Sequence, residues 1–136
     1  MKVLVDTPIW SYALRSRNKE YQAEIDALAA LILDQRVIMI GPIRQEILSG
    51  YSDLHRYATI RDKLSYLENT PILDGDYERA AEFSNKCRKK GIQGSHIDFL
   101  ICAVASRLGV SIFTNDKDFD QYQMVLPIKR YNIGGG

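Results

Sequence analysis

With only two histidines, His55 and His96, and two cysteines, Cys87 and Cys102, the chain cannot assemble a Cys/His zinc constellation. Any metal must be held by oxygen. Both cysteines fall in helical patterns rather than in loops at ligand spacing, which favours two reduced, packed thiols over a disulfide. An excess of one charge is missing too. Eighteen Lys and Arg against 17 Asp and Glu leave a formal net charge of +1, which excludes a strongly basic nucleic-acid binder in bulk and leaves room for local basic patches. No apolar run reaches the length of a signal or membrane-spanning segment, so the expected location is cytoplasmic. Internal repeats, low-complexity stretches and long linkers are likewise missing.

What is present is a soluble globular composition, 46% hydrophobic and 26% charged, in 136 residues, enough for one core and too few for two ordinary domains. The chain is organised around Lys2-Val3-Leu4-Val5-Asp6-Thr7-Pro8. The short β-branched run reads as a buried parallel strand. Thr7 is expected as N-cap and Pro8 as the first residue of a helix over 8–14, because proline costs nothing where the N–H is unpaired. Asp6 then sits at the carboxyl end of a strand, the place where open α/β sheets bind ligands.

Beyond a polar, basic break at Arg15-Ser16-Arg17-Asn18, apolar spacing predicts an amphipathic helix over 21–33 and a second buried strand over 37–40. Helices are expected over 43–49, 52–68, 76–90 and 95–108, the third with a basic last turn and the fourth opened by the capping-box pair Ser95 and Asp98. Further strands are expected at 71–73, 110–114 and 124–126. The alternation argues for an α/β sandwich, a mostly parallel central sheet covered by helices on both faces. It forms one domain over residues 1–131, followed by a flexible Gly-rich tail over 132–136.

Four carboxylates stand at equivalent places on that scaffold: Asp6 after the first strand, Glu46 in the helix after the second, Asp98 in the first turn of its helix, and Asp116 after strand 110–114. Each alone has an ordinary structural explanation: helix start for Asp6, capping for Asp98 and turn chemistry for Asp116 and Asp118. Glu46, beside Ile43 and Ile47, is expected near the apolar side of its helix. Together they pose an energetic problem. Like charges ~4 Å apart repel by about 4 kcal/mol per pair at an effective dielectric of ~20, against a total stability of about 5–15 kcal/mol. Such a cluster needs shared protons or a divalent cation, and carboxylate oxygens without His or Cys suit Mg2+ or Mn2+. That chemistry serves phosphoryl groups. Arg15, Arg17, Lys19, Arg44 and the Lys86 to Lys90 cluster are weak candidates for RNA contact, most of them explicable as solvated faces.

The motifs Val5-Asp6-Thr7-Pro8-Ile9-Trp10, Pro42-Ile43-Arg44-Gln45-Glu46, Ile97-Asp98-Phe99-Leu100 and Thr114-Asn115-Asp116 resemble, in this order, those of the PIN-domain ribonucleases, and among them the VapC toxins of toxin–antitoxin pairs. The resemblance spans residues 2–131. It implies a PIN-like three-layer sandwich and a metal-dependent endoribonuclease, often acting on transfer RNA or another structured RNA. It makes Asp6, Glu46, Asp98 and Asp116 the catalytic acids, with Asp6 and Asp98 most directly on the Mg2+ or Mn2+. Hydroxyl contacts from Thr7 and Thr114 are implied as well. As partners it implies an RNA substrate, a cognate antitoxin and a second copy of the chain, with no membrane. Trp10, Tyr12, Tyr51 and Tyr57 are expected either on those surfaces or in the core. Two other readings remain open at this level: a phosphotransfer or receiver-like signalling domain, and a catalytically silent RNA- or partner-binding module. The first wants a second Asp two residues after Asp6, where this chain has Pro8.

Overall fold

The computed structural model describes residues 1–15 and 19–134. Ser16, Arg17 and Asn18 of the expected basic break, and Gly135 and Gly136 of the expected tail, lie outside the described residues.

Val-Leu-Val at Val3–Val5 forms strand β1, paired on both edges and buried at every position, as a central parallel strand covered on both faces is. Strands β2 (Val37–Ile38) and β3 (Ser111–Phe113) flank it, all parallel, in the order β2-β1-β3. The register pairs Leu4 with Ile38 on one side and with Ile112 on the other. Two isolated parallel bridges, Met39 with Asn69 and Ile112 with Arg130, widen the sheet at both edges. The chain leaves β1 toward β2 and returns on the opposite side as β3. The carboxyl end of β1 therefore borders a topological switch point, where an α/β sheet opens a crevice.

Helices α1 (Thr7–Arg15), α2 (Gln22–Leu33) and α3 (Gly41–Ser49) pack together. After α4 (Leu54–Leu64), helices α5 (Asp74–Lys89), α6 (His96–Leu108) and α7 (Asp118–Val125) form a second group, with α6 against α5 and β3. This is the expected mixed α/β architecture with a parallel sheet. Helix α6 was expected to bury one stripe. Instead Phe99 through Ala105 are all buried, because the helix is covered all round. Cys87 and Cys102 are free and buried, as expected. Among the described residues no helix is long and apolar enough to cross a membrane.

Three local expectations fail for identifiable reasons. Residues 71–73 form no strand. Asn69 makes the bridge instead, the Thr70 N–H donates to the Met39 carbonyl at 2.8 Å, and Pro71, which has no N–H, ends the pairing. Residues 124–126 were expected as a strand, but α7 runs through Val125 with Phe119, Tyr122 and Leu126 buried at helical spacing and Met124 exposed. The segment that pairs with β3 comes later, through Lys129 and Tyr131 on Ile112. Thr7, expected as N-cap, is the first helical residue; the Asp6 carbonyl accepts the Ile9 N–H at 3.2 Å and so begins α1.

The aromatics divide likewise. Trp10 and Tyr51 are core residues, Tyr12 stacks on Tyr21 with centroids 3.7 Å apart, and Tyr57 is half-buried. Arg44 is not free for RNA: it donates to the Asn69 side chain and to the carbonyls of Leu64 and Leu67, strapping the α4 end to α3.

Candidate active site

At the carboxyl end of the sheet, the backbone itself brings the first acid to its partners. The Asp6 N–H donates to the Phe113 carbonyl at 2.9 Å, continuing the β1–β3 ladder by one residue and setting Asp6 beside Thr114. The Thr114 hydroxyl donates to Asp6 Oδ2 at 2.8 Å, and the Thr7 N–H donates to Asp6 Oδ1, also at 2.8 Å. Each oxygen of this carboxylate is thus held by one donor. Asp6 is only 5% exposed.

From Thr114 the connections run onward. Its hydroxyl accepts the Asp116 N–H at 3.1 Å, and Asp116 Oδ1 accepts the Asp118 N–H at 2.9 Å. The second contact is an Asx turn, which explains locally why Asp-Lys-Asp opens α7. Arg130 braces the same loop from behind, donating to the Thr114 carbonyl at 2.8 Å.

Asp98 arrives from α6. Its N–H donates to Ser95 Oγ at 3.0 Å, which forms one half of the expected capping box. Its carboxylate turns to α7, where Oδ2 accepts the Tyr122 hydroxyl at 2.7 Å. Asp98, Asp116 and Asp118 present one carboxylate oxygen each within 4.8 Å of one another. Among the described residues this is the group of three close enough to share an ion. It contains two of the four expected acids and Asp118, whose role the sequence left open.

Asp6 and Glu46 form the other side. Glu46 is exposed rather than turned to the apolar side of α3, and its Oε1 accepts the Thr7 hydroxyl at 2.9 Å. Thr7 therefore links the two acids, its N–H on Asp6 and its hydroxyl on Glu46.

The electrostatics couple the two sides. Burial pushes the Asp6 carboxyl up to about 6, a rise opposed by its bonds from Thr114 and Thr7 and increased by the charges of Asp98 and Glu46. Asp98 is also raised, first by burial and then by Asp116 and Asp118, against the lowering effect of Tyr122. A buried acid raised by its Asp98 and Glu46 neighbours, together with the cluster of carboxylates around Asp98, is a charge problem that a divalent cation resolves. The donor set is all oxygen and crowded enough for one ion to bridge, so the residues present fit a hard ion such as Mg2+ or Mn2+.

Two contributors escaped the sequence reading. Tyr122 falls just before the strand expected at 124–126, with no role of its own, and Gly94 belongs to the loop before α6. A Cβ on Gly94 would lie 2.4 Å from the Tyr122 hydroxyl, so the closeness of the loop to that ring requires glycine. The Phe119, Tyr122, Leu126 spacing was a legible helical signal. The hydroxyl's partner was not legible.

A model of the PIN domain matches residues 3–124. Ribonuclease VapC11 of Mycobacterium tuberculosis is 32% identical over 120 residues, covering 87% of this chain and 89% of that protein. Among solved structures, FitAcB from Neisseria gonorrhoeae superposes with a TM-score of 0.78 at 17% identity, covering 98% of this chain and 99% of that one. VapBC2 from Rickettsia felis, bound to a DNA fragment from its promoter, superposes with a TM-score of 0.74 at 17% identity, covering 97% and 100%.

Proposed function

The chain belongs to the PIN-domain family, and from that premise we propose that it is a metal-dependent endoribonuclease, the toxin of a type II toxin–antitoxin pair. The observation that carries this reading is the convergence of Asp98, Asp116 and Asp118 on a shared centre, joined to Asp6 through the Thr114 hydroxyl. Asp6, Glu46, Asp98 and Asp116 are the catalytic acids; Asp98, Asp116 and Asp118 would hold Mg2+ or Mn2+, and Asp6 is joined to this group through the Thr114 hydroxyl.

When bound, the ion supplies positive charge against the phosphodiester and makes water easier to deprotonate. The chain's residues do the positioning. Thr7 and Thr114 fix both oxygens of Asp6, so that its free lone pairs point in set directions. Asp6, held by a donor on each oxygen, and Glu46, exposed at the rim and fixed by the Thr7 hydroxyl, would position the attacking water and take its proton. No covalent intermediate is needed.

The substrate is RNA, in keeping with the ribonuclease relative, and the partner is a cognate antitoxin, in keeping with the VapBC2 complex; a transfer RNA or another structured RNA is the substrate class that the motif resemblance implies. The protein works in the cytoplasm, where that RNA is found. The test is cleavage of a total RNA pool with Mg2+, mapped by end sequencing, for the parent and for Asp6→Asn. Discrete cuts lost in the variant and in chelator support the reading. Equal cutting by a contaminant-free variant would sink it.

A further inference from the structure

We propose that Tyr122, seated by Gly94, is a positioning residue that holds the Asp98 carboxylate in the orientation needed to take a divalent cation; this rests on the metal-site reading above. Asp98 has two competing uses. As the third residue of α6 after the Ser95 cap, it lies where a capping-box acid folds back on the cap N–H and leaves its cleft. Tyr122 offers the alternative. Its hydroxyl donates to Oδ2 at 2.7 Å, and one Asp98 carboxylate oxygen lies within 4.8 Å of one each from Asp116 and Asp118.

The hydroxyl has little freedom to be elsewhere. Tyr122 is fully buried, its ring tilted against Phe99 and edge-on to Phe119, each with centroids 5.1 Å apart. Gly94 closes the third side, since a Cβ there would lie 2.8 Å from both Tyr122 Cε1 and Phe99 Cζ. The φ of Gly94 is not in the left-handed region, so space rather than backbone conformation selects glycine. The α7 helix thus contributes to the centre twice: Asp118 at its start and, one turn on, a rigid donor to the acid of α6. Partners of this kind, outside the ligand set, typically alter metal affinity 10–100-fold.

The experiment is calorimetric titration of the full-length protein with MnCl2, together with RNA cleavage as a function of Mg2+. Tyr122→Phe keeps the ring and removes only the donor. The expected result is Mn2+ binding weakened about 10–100-fold, cleavage recovering at raised Mg2+, and a melting temperature in chelator lowered only by the loss of one hydrogen bond. Gly94→Ala should weaken Mn2+ binding similarly by displacing the ring. If it fails to fold, Tyr122→Phe alone decides. Parent-like Mn2+ affinity in Tyr122→Phe, alongside loss of binding in Asp98→Asn, would overturn the positioning role and leave the metal site standing. A parent that binds no Mn2+ would overturn both.

Discussion

The Thr114 hydroxyl donates to Asp6 Oδ2 at 2.8 Å across 108 residues of chain. It also accepts the Asp116 N–H, so one buried hydroxyl ties the acid after β1 to the acid after β3. That double role makes Thr114 the natural point at which to perturb the centre.

Thr114→Val keeps shape and removes the hydroxyl, leaving Asp6 Oδ2 and the Asp116 N–H without their partner. The expected loss is about 1–3 kcal/mol, read as a lower denaturant midpoint at unchanged slope. Cleavage should fall with it. Thr114→Ser, which restores the hydroxyl, should stay close to the parent in activity; equal activity of the valine and serine variants would count against the link.

Asp6 makes stability pH-dependent in a definite direction. Its carboxyl is raised from 3.8 to about 6, so the fold favours the protonated form. That contribution is fully present below the unfolded value and is lost as pH rises through about 6, leaving a cost of about 3 kcal/mol at neutrality in the metal-free protein. In chelator, Asp6→Asn should therefore gain on the parent by up to about 3 kcal/mol between about pH 4 and about pH 7. Chemical denaturation at the two pH values measures the difference. A constant offset would mean that Asp6 is not buried as described.

Divalent metal should stabilise the parent by about 2.7 kcal/mol at a hundredfold excess over its dissociation constant. Asp98→Asn and Asp118→Asn should respond far less in the same thermal-shift titration. Because carboxylate ligands must be ionised to bind, the parent's metal affinity should also decline as pH falls below about 6. Chelator must abolish the stabilisation in the parent.

Away from the centre, Asp76 is nearly fully buried and paired with Arg107 at 2.8 Å; the Arg107 bond holds its carboxyl below the usual range. Its Oδ2 also accepts the Leu73 N–H that opens α5. Asp76→Ala should cost about 2–3 kcal/mol, reduced from the usual figure for a broken buried pair because Arg107 is about one-third exposed. Arg107 lies nine residues along α6 from Asp98, roughly 14 Å by helical rise. Metal affinity of the folded variant should therefore match the parent in calorimetry.

Much of this protein was legible before folding was considered. Val3-Leu4-Val5 followed by Asp6 announces a buried strand ending in an acid, and the scarcity of His and Cys leaves only oxygen for a metal. Helix periodicity located α2, α3, α5 and α6 to within a few residues. The errors were made where one residue serves two constraints. Thr7 has the chemistry of an N-cap but gives its hydroxyl to Glu46. The segment 124–126 is short and apolar like a strand, but Phe119 and Tyr122, buried at helical spacing, carry α7 through Val125.

The sequence by itself determined the central strands, the long helices and the inventory of acids, because strand and helix periods and donor chemistry are local properties. Only the tertiary structure decided which acids meet. Asp98, Asp116 and Asp118 share a centre because parallel pairing of β1 with β3 fixes one end of the crevice and the packing of α7 on α6 fixes the other. Tyr122 belongs to that centre for the same reason. A hydroxyl's partner 24 residues away is set by how two helices pack, and no spacing along the chain encodes it.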